Sequence, residues 1–123
     1  MTRSEEIISR AQKLGLPLAQ YEFVETESTP LPELPFIIWL NVKTQEYGAD
    51  NINLLKRIEM AIELYTDREP NKELEQRIER EVLYDVEYEK YQEVIDTEDT
   101  HQTAYSFTVV EKLKKGAYKH EQR

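Results

Sequence analysis

From Arg57 to Tyr65 the chain alternates: Ile58, Met60, Ile62 and Leu64 fall on one side, and Arg57, Glu59, Ala61, Glu63 and Tyr65 on the other. A period of two is that of a half-buried strand, whose side chains point to opposite faces in turn. A helix would scatter those four apolar residues around its circumference. Phe36-Ile37-Ile38-Trp39-Leu40-Asn41-Val42 is apolar almost without a break, which predicts a strand covered on both faces. Val86–Ile95, rich in Tyr and Val, and Thr103–Leu113, rich in β-branched and aromatic residues, predict two more. Between them Asp96 to His101 reads as a polar hairpin tip, and Lys43 to Asn51, with Gly48, as a loop.

Two segments carry helical spacing. Ile7, Ile8, Ala11 and Leu14 form a stripe after Ser4, the expected capping hydroxyl, with Glu5 and Glu6 in the first turn and Gly15 as the stop. Leu74, Ile78 and Val82 recur every four residues from Pro70 to about Leu83, predicting a longer helix with one apolar stripe. The expected fold is α+β, in the order α-β-β-α-β-β: a mainly antiparallel sheet of about four strands, one long helix on one face and a short N-terminal helix. A single domain covers residues 1–123, with an extended, proline-punctuated arm at 16–35 and a frayed tail at 114–123.

Charge narrows the partners. Sixteen Lys and Arg stand against twenty-five Asp and Glu, a net charge of −9. Phosphate-rich surfaces are held by cationic side chains, so stable binding to nucleic acid or an anionic membrane is not expected. The absence of cysteine removes disulfides, thiolate metal sites and cysteine nucleophiles. No stretch approaches the ~20 apolar residues of a membrane span, and Met1 to Glu6 contains no signal-like apolar run, so synthesis and assembly in a cytoplasm are expected.

Candidate chemistry is sparse. Asp96, Glu98, Asp99 and His101 could offer oxygen and nitrogen ligands, but their spacing matches no EF-hand and lacks its glycine. They read as a solvated tip. The two histidines, His101 and His120, stand in no nucleophile or HExxH context, and the three glycines are isolated. No enzyme, cofactor or metal is expected. The eight tyrosines are more informative, since Tyr65, Tyr88 and Tyr91 on or near strands suit either half-buried sheet positions or a subunit interface. Trp39, inside a continuous apolar run, is assigned to the core.

Three motifs in order carry a resemblance: Leu34-Pro35-Phe36-Ile37-Ile38-Trp39 opening a strand, Tyr47-Gly48-Ala49-Asp50-Asn51, and Ile62-Glu63-Leu64-Tyr65-Thr66-Asp67 before a helix. Together they resemble the small tail and neck proteins of long-tailed bacteriophages and prophages of Gram-positive bacteria, in particular the tail terminators. The resemblance implies a virion structural protein forming a ring, typically of six copies, on the tail tube. There it would stop tube growth and dock the head-completion or connector protein, while DNA passes through without being bound specifically. It implies no catalytic residue and no cofactor. It points to Pro30, Pro32 and Leu34 of the arm and Tyr47, Asp50 and Asn51 of the loop as inter-subunit or tube contacts, alongside Tyr65, Tyr88 and Tyr91. The same small fold recurs among tail and neck proteins, so a tail assembly chaperone or another neck adaptor is the alternative.

Overall fold

A computed structural model describes residues 1–49 and 52–113 of the chain. The elements are α1 (Arg3–Gln12), β1 (Leu18–Gln20), β2 (Phe36–Ala49), β3 (Ile52–Asp67), α2 (Lys72–Arg77), β4 (Tyr88–Ile95) and β5 (Thr100–Lys112). The strands form one mixed sheet in the order β1-β2-β3-β5-β4, with β1 parallel to β2 and every other pairing antiparallel.

This corrects the expected architecture in three places. The sheet has five strands, because Leu18, Ala19 and Gln20 pair in parallel with Ile37, Ile38 and Trp39. The expected long helix is short: α2 has six residues and passes at Ile78 into a five-residue π-helical turn ending at Val82. The expected loop after Lys43 is strand. β2 runs on to Ala49 and pairs with β3 down to Ile52, so 36–49 and 52–67 form one long hairpin. Polar residues remain extended there because ladder hydrogen bonds, rather than burial, hold them.

The N-terminal helix forms where its spacing predicted, but its cap is Thr2, whose hydroxyl accepts from the Glu5 amide, and not Ser4. Gly15 takes a φ of 82°, a left-handed conformation that closes the helix end without a Cβ penalty. Helix α2 is capped by Asn71, whose side chain accepts from the Leu74 amide.

Both helices lie on one face of the sheet. Ile58, Met60, Ile62 and Leu64 of β3 point to that face, beside Ile37 of β2 and Tyr105, Phe107 and Val109 of β5. Ile7, Ile8 and Ala11 come down from α1, and Ile78, Val82 and Leu83 from the second helical segment. Burying each such side chain contributes about 1.5–3 kcal/mol, so this face dominates the stability. Trp39 packs against the same core, as expected of it. The helices are tied together at Asp85, which accepts from Arg3 (3.0 Å) and Arg10 (2.8 Å). Those two guanidinium hydrogen bonds hold the Asp85 carboxyl well below the usual carboxylate range.

The sheet narrows along its length. Five strands run side by side at Ile62, three remain at Ile58, and beyond Leu55 only β2 and β3 continue. A register shift between Asn41 and Lys43 marks a bulge in β2, where Val42 is left exposed.

Candidate assembly surfaces

The face of the sheet away from the helices is open. It carries Glu59, Ala61, Glu63 and Tyr65 of β3, the odd members of the alternation, with Ala104 and Ser106 of β5 and Glu89, Tyr91 and Glu93 of β4 across the ladder. At one end the arm lies over it. Phe23 meets Phe36 edge-on with ring centroids 5.1 Å apart, and Phe36 in turn lies 5.3 Å from Tyr65. The Tyr21 amide donates to the Trp39 carbonyl, which fixes the arm at its root.

Between arm and sheet is a groove of about 380 Å3, lined by Phe23, Leu31, Leu34, Phe36, Ile38 and Tyr65, with Glu22 and Glu98 at its polar side. The Tyr65 hydroxyl donates to Glu63 (3.0 Å) and accepts from Gln102 (2.9 Å). Burial, then the charge and hydrogen bond of Glu63, push its pKa up to about 12.

The candidate residues are therefore split. Pro32, Leu34 and Tyr65 meet at the groove, with Pro30 just before them in the arm. Tyr47 stands at the far end of the same ribbon, exposed, and Tyr91 is exposed on the outermost strand. Asp50 and Asn51 lie outside the described residues, as does the tail from 114 onward. Tyr88 faces the other way. Its ring packs on Tyr105 at 5.3 Å, on the helix side, where it belongs to the core's margin and not to an exposed surface.

The helix face holds a polar network that the sequence reading missed. Lys90 of β4 reaches between Glu75 (2.7 Å) and Glu79 (2.8 Å) of the helical segment. The Tyr105 hydroxyl donates to Glu79 (2.8 Å), and Gln92 donates to Glu75 (3.1 Å). Glu75 is only 4% exposed, which is tolerable for a carboxylate because it is paired. Burial acts to raise the Glu79 carboxyl, but the hydrogen bonds from Lys90 and Tyr105 outweigh it and hold the pKa down. The same pairings hold the Lys90 ammonium above its usual range against its burial. The one sequence signal was parity: Lys90 and Gln92 share a face of β4 with Tyr88, and Tyr105 faces Lys90 directly.

The acidic tip is rearranged too. Asp96–Glu98 form a short 3-10 turn, Asp99 takes a left-handed φ of 51°, and Arg68 pairs with it at 3.2 Å. His101 leaves the tip, because β5 begins at Thr100 and its alternation turns the imidazole inward to 5% exposure. Among the described residues no three His, Cys, Asp or Glu side chains gather in a metal-binding group. Nor, among them, is any helix long and apolar enough to cross a membrane.

Compared with known proteins, the chain matches no family model and no curated protein.

Proposed function

We propose that this chain is a structural subunit that works by assembling with copies of itself, as the tail terminator or a related head–tail joining ring of a long-tailed bacteriophage. The observation that carries the reading is where its motifs fall. Leu34–Trp39 open β2, Tyr47–Ala49 close it, and Ile62–Asp67 close β3, so all three resembling segments lie on one hairpin that outruns the rest of the sheet. That hairpin exposes Tyr47, Leu54 and Leu55 at one end and an aromatic groove at the other. Apolar and aromatic surface of this kind is what subunit interfaces bury.

The net charge of −9 suits a channel subunit that lets DNA pass without gripping its phosphates. The partners in this reading are further copies, the tail tube protein and a head-completion or connector protein.

The test is assembly. Purified protein mixed with polymerised tail tube is expected to form closed rings at the tube end, seen by electron microscopy, and to appear as a band in denaturing gels of purified particles. A protein that remains at the 14.7 kDa monomer in light scattering, both alone and with the tube, sinks the ring reading. A protein that binds tube subunits but is missing from particles is instead an assembly chaperone or adaptor.

A further inference from the structure

The ribbon of β2 and β3 is polar in two senses, and the two match. On the open face of its narrow end Arg57 and Lys112 stand beside the exposed apolar side chains of Tyr47 and Leu55, and Lys43, farther along β2, lies across from Glu59. Among the described residues none of these three cations is ion-paired, whereas Arg68, the one Arg or Lys between Asp67 and Pro70 at the other end, is engaged with Asp99. At the broad end the apolar groove under the arm is flanked by Glu22 and Glu98. Beyond Leu34, Asp67 and Glu69 line a neighbouring hollow together with Lys72. An apolar knob flanked by Arg57 and Lys112 and an apolar groove flanked by Glu22 and Glu98 thus lie on the same face, at opposite ends of one hairpin.

We propose that the two ends are mates: Tyr47 and Leu55 of one copy seat in the groove formed by Phe23, Leu31, Leu34, Phe36, Ile38 and Tyr65 of a second copy. Arg57 and Lys112 then face Glu22 and Glu98. This rests on the self-assembly reading above and specifies its contact. Because knob and groove are different surfaces of each subunit, the contact is head-to-tail, and each added copy presents a fresh knob and a fresh groove. The arm that walls the groove is fixed to the sheet by the Phe23–Phe36 ring contact and by the Tyr21 amide on the Trp39 carbonyl. Charge complementarity sets the direction of approach, and the apolar contact supplies the affinity.

The chain has no cysteine, so introduced ones report cleanly. Two full-length variants, Gln45→Cys beside the knob and Glu33→Cys on the arm, are mixed in equal amounts at high concentration under mild oxidation, and the disulfide-linked dimers are separated by mass. Both positions are exposed and lie outside the proposed knob and groove, so neither substitution threatens the fold or removes the contact. The mixed 45–33 dimer is expected to exceed the two like-with-like dimers together by about tenfold. Adding Arg57→Glu and Lys112→Glu to the first variant should abolish that excess. Adding Glu22→Lys and Glu98→Lys to the second should restore it. A statistical mixture of dimers, or an excess indifferent to the charge reversals, overturns the proposed contact. Rings on tail tubes together with a statistical mixture would overturn this contact alone. A strong mixed dimer from a protein missing from particles would overturn the tail-ring reading and leave the contact standing.

Discussion

On β3, adjacent residues live in different solvents. Ile62 and Leu64 are wholly buried beneath α1 and α2, whereas Glu63, between them, stands on the open face and accepts a hydrogen bond from the Tyr65 hydroxyl. The helix face has little room for change, since its side chains are packed into one buried cluster. The open face is charged, small at Ala104 and Ser106, and its aromatic side chains are covered at Phe36 and Tyr65 under the arm but exposed at Tyr47 and Tyr91. One face makes the fold and the other is left for something else to cover, and each substitution should show which face it strikes.

The largest effect is expected from Ile62→Asp, which places an unpaired carboxylate in the core. It should cost about 4 kcal/mol or more, leaving the chain unfolded or molten by circular dichroism and urea titration. Lys90→Ala strands two carboxylates, one of them the buried Glu75, and should cost about 3 kcal/mol in the same titration. Simultaneous replacement of Glu75, Glu79 and Lys90 by Gln, Gln and Met should cost less than Lys90→Ala alone, because no charge of the network is left behind.

Smaller effects follow from pH. Glu79 and Glu111 have lowered carboxyl pKa values: for each, burial is outweighed by hydrogen bonds, from Lys90 and Tyr105 to Glu79 and from Ser4 to Glu111. Their contribution to stability is therefore complete above the ordinary carboxylate range and fades as pH falls below it. Tyr65, raised from 10.0 to about 12, behaves oppositely: its contribution is complete below pH 10 and is lost as pH climbs toward 12. Urea midpoints measured across pH should fall at both ends, and Tyr65→Phe should flatten the alkaline limb. Least of all, Glu63→Lys should lower stability by under ~1 kcal/mol, with the fold unchanged. If it were as damaging as Ile62→Asp, the two faces would not differ as described.

How much of this the sequence disclosed depends on what holds each element. β3 was legible because burial on one face writes an alternation. The end of β2, Lys43 to Ala49, was not, because it is held by pairing with β3 and buries little. β1 left no signal: three residues, set by the proximity of β2, have no period to read. His101 was misplaced at a tip, although it shares parity with Thr103, Tyr105, Phe107 and Val109 and could have been read as the inward start of β5. Of the candidate surface, the arm and Tyr47 were named from the sequence only as separate candidates, and their placement at opposite ends of β2 required the register.

The spacing of Leu74, Ile78 and Val82 has a last consequence. Steps of four overrun an α-helical turn by about 40° each, so in a regular helix the stripe would drift off the sheet. The π-helical turn absorbs the drift: the Leu83 amide reaches back five residues to the Ile78 carbonyl, and both side chains end up buried. Such a turn is in effect an α-helix with one residue inserted. The segment therefore has a fixed count. Removing a single residue between Glu79 and Glu81 would tighten the turn, swing Val82 and Leu83 away from the core and move Asp85 off Arg3 and Arg10. Among relatives of this chain, exchange of residue type at Arg80 should be tolerated, and change of length should not.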